Sequence, residues 1–239
     1  NTSAFRMEPD VPLVIPEINA DEISKHKGII ANPNCSTIVM AMPLYPLHKA
    51  ARAKRVIVST YQAASGAGMK AMRELEEQTK EVLAGKPPTK KAFRHQIAFN
   101  LFSHDSKIRD DGFTEEEFKM IQETRKIFRA PELKIVTTTV RVPVLRAHSE
   151  SVVVEFEKPL SEAEAREILK QAPGVEVVDR REDNYFPMPI DASGKDLILV
   201  GRIRKDPSSE NGLAFFVSGD QLRKGAALNA LQIAEILFK

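Results

Sequence analysis

The sequence predicts an α/β (α+β) domain in which helices pack on one main sheet. Runs rich in β-branched residues intermix along the chain with helical segments, an order typical of such domains. The 239 residues, of which 42% are hydrophobic, suffice for one large domain with a sizeable core. The chain has no internal repeat and no low-complexity tract.

Net charge, cysteine content and hydropathy exclude several classes of function. The formal net charge is +2, from 35 basic and 33 acidic residues, so the chain has no electrostatic footprint for nucleic acid or an anionic membrane. Its single cysteine, Cys35, excludes an intrachain disulfide and fits a reducing compartment, so we expect a cytoplasmic protein. No apolar run approaches the length of a transmembrane helix, and we predict no metal site.

The first half of the chain begins with a proline-rich stretch. Residues 11–16 read as either an edge strand or an extended connection. An apolar helix then begins at Cys35 and is predicted to bend at Pro43 or Pro46. The elements predicted here are a helix over residues 35–50, a strand over 55–61, a small-residue turn over 62–68 and a helix over 69–83.

The second half opens with a long polar loop. Gly85 and the prolines after it end the preceding helix, and the loop runs to about Asp111. Thr114 and Glu117 form the pattern of a capping box, which predicts a helix over residues 115–128. The remaining predicted elements are strands over residues 134–142, 151–157, 196–200 and 213–217, a helix from Ser161 to about Lys170, and a terminal helix over 221–238.

Cys35 is the first candidate for chemistry, because it lies at the predicted start of a helix. A thiol there faces the positive end of the helix dipole and unpaired backbone N–H groups. Both lower the pKa of a thiol, so we expect a thiolate nucleophile near neutral pH. The alternative is a lone cysteine that only fills space as a small buried hydrophobe.

Other polar clusters accompany the thiol. The turn that ends at Gly68 contains glycines that let a ligand approach the backbone. The segment from Arg141 to His148 supplies a guanidinium that can clamp a carboxylate and an imidazole that can act as a general base. Glu116 and Lys119 share one face of a predicted helix, a spacing that by itself is typical of a surface ion pair.

Five segments together resemble the aspartate-semialdehyde dehydrogenase family, from end to end and in the same order. They are residues 1–7, 32–37, 59–68, 141–151 and 220–229. The resemblance implies a mixed sheet flanked by helices, as in the catalytic domain of the aspartate-semialdehyde and glyceraldehyde-phosphate dehydrogenases. It also implies NADP-dependent interconversion of L-aspartate 4-semialdehyde plus phosphate with 4-phospho-L-aspartate through a cysteine thioester, a step towards lysine, methionine and threonine.

The resemblance implies a role for each matched residue. Cys35 is expected to carry the acyl group, His148 to act as acid and base, and Gln62 to orient the substrate. The other implied contacts are Arg141 to the α-carboxylate, Glu116 to the α-ammonium, Arg6, Asn34 and Lys119 to phosphate, and Ser65, Gly66, Gly68 and Gln221 to the nicotinamide side of the cofactor. Gln221 departs from the family pattern, which often has Asn at this position.

The family's glycine-rich NADP-binding turn has no counterpart after any predicted strand. We therefore expect an incomplete NADP site and an inactive isolated chain. The start at Asn1 rather than Met suggests a piece of a longer protein. Residues 1–33 are predicted to be the tail of a dinucleotide-binding domain, 34–220 the catalytic and dimerisation domain, and 221–239 a helix that packs back on the dinucleotide-binding domain.

The expected partners are the small-molecule substrate, phosphate and further copies of the chain in a homodimer or homotetramer, with no nucleic acid and no membrane. A plastid location is the alternative if the source is a plant. Two other functions stay open. One is an N-acetyl-glutamyl-phosphate reductase-like enzyme, against which the pair Arg141 and Glu116 argues; the other is a non-catalytic dimerisation and substrate-binding module.

Overall fold

The structure, a computed structural model, describes residues 3–238. Asn1, Thr2 and Lys239, which belong to the predicted first and last segments, lie outside the described residues. Within residues 3–238 the chain forms one seven-stranded mixed sheet with helices packed on it, which confirms the predicted fold class. The strands are Ala53–Gln62 (β1), Phe102–Ser103 (β2), Lys134–Arg141 (β3), His148–Phe156 (β4), Val175–Val177 (β5), Ile198–Lys205 (β6) and Gly212–Gly219 (β7).

The order of the strands is β2-β3-β1-β4-β7-β6-β5, so β1 lies between β3 and β4. β1 runs parallel to β3, with Gln62 opposite Arg141, and antiparallel to β4, with Tyr61 opposite Ser149. β4 also pairs antiparallel with β7. This register brings three strand ends together on one side of the sheet: the last residues of β1 and β3 and the first residue of β4, His148.

Helices cover one face of the sheet and build the core there. Side chains alternate between the two faces of a strand, and the buried apolar residues of β1 and β4 face these helices. The main core joins residues of β1, β4 and β7 with Leu44, Met120 and Leu169 from three helices. The α-helices are Pro16–Asn19 (α1), Cys35–Ala51 (α2), Met69–Leu83 (α3), Glu115–Phe128 (α4), Glu162–Lys170 (α5), Pro189–Ala192 (α6) and Leu228–Leu237 (α7).

Helix α2 is almost entirely buried, since the sheet, α4 and α5 all pack on it. Its apolar residues on all sides fit this surrounded position. The side chain of Asn34 caps the helix by accepting bonds from the backbone N–H groups of Ser36 and Thr37. Pro43 and Pro46 both lie inside one uninterrupted helix. None of the helices within residues 3–238 is long and apolar enough to cross a membrane.

Several boundaries differ from the sequence prediction. The short strands β2 and β5 were not predicted, because two or three residues carry no periodic signal. β4 begins at His148 rather than at residue 151, because its ladder with β7 extends to the pair His148 and Gly219. The terminal segment is not one helix over residues 221–238: it starts with a π-helical turn, Arg223–Ala227, and only then becomes α7.

The segment over residues 85–111 is also more than a polar loop. Phe93, Ile97 and Ala98 are buried, and they pack with Leu75 of α3 in a second, smaller core. The side chain of Gln78, also on α3, accepts the backbone N–H groups of Ile97 and Ala98. The loop is therefore held in place by both apolar and polar contacts.

The two ends of the described chain pack together. Lys224 is buried, and its ammonium group donates to Glu17 at 2.5 Å, Asn229 at 2.9 Å and Gln232 at 2.7 Å. Ile233 of α7 is buried in a small apolar cluster with Val14 and Ile23 of the N-terminal segment. The N-terminal segment and α7 thus share one packing unit beside the sheet.

Candidate active site

Cys35 is the first residue of α2 and is partly exposed to solvent. Burial of the thiol, followed by the charge of Glu116, raises the pKa of Cys35 to about 12. The guanidinium of Arg141 and the backbone N–H of Ser36 act in the opposite direction. The expectation of a lowered thiol pKa is therefore wrong for the structure without substrate, because burial near carboxylates outweighs the helix end.

Gln62 and Glu116 form a polar centre next to the nucleophile. The amide Nε2 of Gln62 donates to Ser36 Oγ at 2.9 Å and lies 3.3 Å from Glu116 Oε1. The same Glu116 oxygen accepts from Asn34 Nδ2 at 2.9 Å. One carboxylate oxygen thus joins α4, β1 and the turn before Cys35, and the other Glu116 oxygen receives no bond from the described residues.

His148 lies at the start of β4 and is fully buried. Its Nδ1 accepts the backbone N–H of Ala63 at 2.9 Å, so the neutral ring carries its proton on Nε2. Nε2 has no partner among residues 3–238. Burial and the nearby Arg141 hold the pKa of His148 well below its usual value, so the ring is neutral and presents an N–H donor.

Arg141 ends β3, beside Gln62 and close to His148. Its Nη1 donates to the carbonyl of Ala63 at 3.3 Å, and its Nη2 lies 2.8 Å from Nε2 of His104. A Cβ at the exposed Gly66 would lie 2.8 Å from Arg141 Nη1 and 3.0 Å from His148 Nε2. A side chain at position 66 would collide with these two groups, so only glycine fits here.

The residues expected at the phosphate group lie on three segments. Arg6 pairs with the buried Glu123 of α4, with Nη1 and Oε1 3.1 Å apart, and Glu123 also accepts the backbone N–H of Asn34 at 2.6 Å. The oxygen of Asn34 accepts the cap bonds and its amide nitrogen donates one hydrogen to Glu116, which leaves the second amide N–H as a donor for phosphate. Lys119, half-buried one turn beyond Glu116, makes no ion pair with a described residue.

The residues expected at the cofactor surround a tight turn. Gly68 has a φ of +92°, a conformation that favours glycine. Ser65 and Gln221 are both buried, and the amide of Gln221 donates to Ser65 Oγ while its oxygen accepts the N–H of Ala147 at 3.0 Å. Gln221 therefore joins the turn to the residue before His148, and its amide makes all its observed bonds inside the protein.

Four residues near the site escaped the sequence reasoning: His104, Glu123, Glu150 and Gly225. His104 and Gly225 lie in segments whose local structure was predicted incorrectly, and Gly225 approaches so closely that a Cβ there would lie 3.2 Å from Cys35 Cβ. Glu123 and Glu150 resembled ordinary charged positions, but both are completely buried. Glu150 stands just before the predicted strand over residues 151–157, so no strand pattern marked it as buried.

Comparison with known proteins fits this geometry. A family model described as "Semialdehyde dehydrogenase, dimerisation domain" matches residues 44–224. The aspartate-semialdehyde dehydrogenase of Synechocystis sp. is 55% identical over 239 residues, which cover 100% of this chain and 71% of that protein. The crystal structure of aspartate semialdehyde dehydrogenase II from Vibrio cholerae matches with a TM-score of 0.96 at 44% identity, over 100% of this chain and 71% of that one. A structure of that enzyme complexed with ASA matches equally well.

The matching family model and the mixed sheet define the class of protein: the chain carries the dimerisation domain of a semialdehyde dehydrogenase. Identity of 55% over the whole chain then narrows the class. The chain belongs to the aspartate-semialdehyde dehydrogenase family, whose enzymes serve amino-acid biosynthesis. The relatives are bacterial and give no support to the plastid alternative. The identity also argues against an N-acetyl-glutamyl-phosphate reductase.

Proposed function

We propose that Cys35 forms a thioester with the aspartyl group of 4-phospho-L-aspartate. The thiol loses its proton to solvent and the sulfur attacks the acyl carbon as a thiolate; the bond from that carbon to the phosphate oxygen breaks, and phosphate leaves. The observation that carries this assignment is the position of Cys35 on the capped first turn of α2, beside Gln62, Glu116 and the carboxylate clamp Arg141.

The raised pKa of Cys35 fits this role if substrate binding lowers it. Glu116 is the largest charge that opposes ionisation of the thiol. An α-ammonium group bound by the free oxygen of Glu116 offsets that charge, so the thiolate becomes more favourable when substrate is present. Arg141 binds the α-carboxylate with its remaining N–H groups, and the pair Glu116 and Arg141 selects a free amino acid.

In this proposal the neutral ring of His148 donates a hydrogen bond to the reacting group through Nε2–H. Its Nε2–H points to the side of the site bordered by Gly66 and Arg141, where a carbonyl oxygen of the acyl group gains negative charge. Arg6 and Lys119 provide positive charge for the phosphate group, and Asn34 offers its second amide N–H beside the turn that it caps.

The residues present fit the nicotinamide end of NADP. Gly66 is exposed and lacks the side chain that would cover His148 and Arg141, and Gly68 opens the turn towards α3. NADPH, when bound, supplies the hydride that reduces the thioester. The sequence given contains no glycine-rich cradle for the pyrophosphate after a strand, so the cofactor site formed by these residues is incomplete.

The thioester can be tested without the cofactor. The chain is incubated with 4-phospho-L-aspartate, and the intact mass is measured before and after treatment with hydroxylamine. We expect one aspartyl adduct on Cys35 that hydroxylamine removes, and no such adduct in Cys35→Ser. An adduct of equal amount in Cys35→Ser, or none in the wild type, contradicts the assignment.

The cofactor proposal needs a separate measurement. Calorimetric titration of NADPH into the 239-residue chain should show no micromolar binding, because most of the anion-binding backbone is absent from its sequence. The Synechocystis enzyme, titrated in the same way, is the positive control. Micromolar or tighter binding by this chain alone shows that its own residues complete the site.

We also propose that the chain forms a homodimer through the sheet face opposite the main core. Ile57, Tyr61 and Val136 are 37–40% exposed there, and the ring of Tyr61 lies 6.1 Å from that of Phe216. Contiguous apolar surface of this kind is typical of an interface between subunits. The description of the matching family model as a dimerisation domain supports the proposal.

A further inference from the structure

Neutral acceptors alone orient the guanidinium of Arg141. The side chain is 4% exposed, and its two observed bonds run to the carbonyl of Ala63 and to the ring of His104. No carboxylate among residues 3–238 forms an ion pair with it, whereas Arg6 is paired with Glu123. The guanidinium of Arg141 is therefore buried and held in one orientation, and no paired carboxylate neutralises its positive charge.

His104 is itself fixed by the backbone. The backbone N–H of His104 donates to the carbonyl of Thr139 on β3 at 2.9 Å. His104 follows β2 directly, and Phe102 of β2 pairs with Arg141 of β3. A guanidinium can only donate, so Nε2 of His104 must be unprotonated to accept from Arg141 at 2.8 Å. The backbone N of Ser106 lies 3.2 Å from Nδ1 and favours the other tautomer. Because the contact with Arg141 is shorter and charge-assisted, we assign the tautomer in which Nε2 of His104 is the acceptor.

We propose that His104 is a positioning residue that holds Arg141 in the orientation required for the substrate carboxylate without neutralising its charge. The proposal rests on the carboxylate-binding role proposed above for Arg141. A carboxylate in place of His104 would pair with the guanidinium and compete with the substrate. A neutral imidazole orients the guanidinium of Arg141 equally well but leaves its positive charge free to pair with the carboxylate of the substrate. Protonation would remove the acceptor and put a second cation beside Arg141.

The surroundings of His104 keep its ring neutral. Burial and the charge of Arg141 lower the pKa of His104. Lys119 of α4 acts in the same direction, whereas Glu116 of α4 and the adjacent Asp105 oppose it. The ring therefore accepts from Arg141 at neutral pH and loses this ability only as the pH falls below the usual range of histidine.

The test measures binding of L-aspartate, which carries the α-carboxylate and α-ammonium but cannot acylate Cys35. Calorimetric titrations compare the wild-type chain with His104→Gln, which keeps an acceptor but cannot titrate, and with His104→Leu, which has none. We expect His104→Leu to weaken binding about tenfold at neutral pH, and His104→Gln to retain most of the affinity. From about pH 8 down to about pH 4, wild-type affinity should fall more than that of His104→Gln, because the lowered pKa of His104 places protonation of its ring towards the acidic end of this range.

Unchanged affinity in His104→Leu overturns the proposal, and so does an equal dependence on pH in the wild type and His104→Gln. Arg141→Leu is the control for the site itself. If Arg141→Leu binds L-aspartate as the wild type does, the carboxylate assignment under the proposed function fails. If Arg141→Leu loses binding while His104→Leu does not, only the role of His104 fails. Circular dichroism confirms that each variant is folded.

Discussion

Glu150 shows how far one residue can depart from its ordinary behaviour. It lies two residues beyond His148 on β4, opposite Thr60, and is completely buried. Neither carboxyl oxygen has a partner among the described residues. Burial, with a contribution from Glu116, raises the pKa of Glu150 well above its usual value. The folded protein therefore favours the neutral acid, which limits the negative charge near Cys35.

This shift predicts a stability that depends on pH. The folded state binds the Glu150 proton more tightly than the unfolded chain, so its contribution is complete below the unfolded pKa and is lost as pH rises through the folded pKa. Glu150→Gln mimics the protonated form. We expect its free energy of unfolding to exceed that of the wild type at about pH 8 and to match it at about pH 4.

Urea denaturation at both pH values measures the effect. Glu155→Gln is the matched control on the same strand, because Lys54 lowers the pKa of Glu155 on the exposed face. That variant should lose a little stability at the higher pH and gain none. A Glu150→Gln variant whose difference from the wild type is the same at both pH values would refute the argument.

At the scale of the element, the start of α2 connects helix formation with chemistry. Asn34 satisfies two of the free N–H groups of the first turn and also donates to Glu116, so the cap belongs to both the helix and the site. Cys35 and Ser36 occupy that same turn. Loss of the cap should therefore affect both stability and reactivity.

Asn34→Ala tests this link against Ser161→Ala, which removes a cap of α5 on exposed residues. Each variant should lose about 1 kcal/mol of unfolding free energy. Only Asn34→Ala should also slow the acylation of Cys35 by 4-phospho-L-aspartate, measured by intact mass over time. Equal acylation rates in the two variants would show that the cap has no part in the site.

At the scale of the whole molecule, one face of the sheet is covered by helices and most of the other is not. Helices α2, α4 and α5 cover one face, and the short α6 covers only part of the other, near Leu199. The remaining surface contains Ile57, Tyr61 and Val136. A stable dimer commonly buries about 800 Å² on each partner, and a sheet face of several strands offers an area of this order.

Tyr61→Asp should therefore shift the chain towards a monomer, because it places a charge within an apolar interface. Sedimentation equilibrium at several protein concentrations measures the association. Lys170→Asp adds the same group at the end of α5, on the opposite side of the sheet, and should leave the association unchanged. A monomeric wild type, or equal association of both variants and the wild type, contradicts the proposed interface.

Much of this protein is determined by patterns that can be read locally. The β-branched run over residues 55–61 and the alternation over 134–142 predicted β1 and β3 to within two residues, and the capping box at Thr114 and Glu117 predicted the start of α4. The motif around Cys35 placed the thiol at a helix start and, with four other segments, indicated the family. Such signals need only neighbouring residues, because hydrogen bonds and side-chain periodicity within one element produce them.

Only the tertiary structure decided the properties that depend on distant neighbours. The raised pKa of Cys35 requires burial near Glu116, which is 81 residues away in sequence. The contact of His104 with Arg141, and the close approach of Gly225 to Cys35, join segments in which no local pattern marks a partner. Desolvation and long-range electrostatics arise from the folded arrangement as a whole, so the sequence supplied the reactive groups and the fold set their state of charge and orientation.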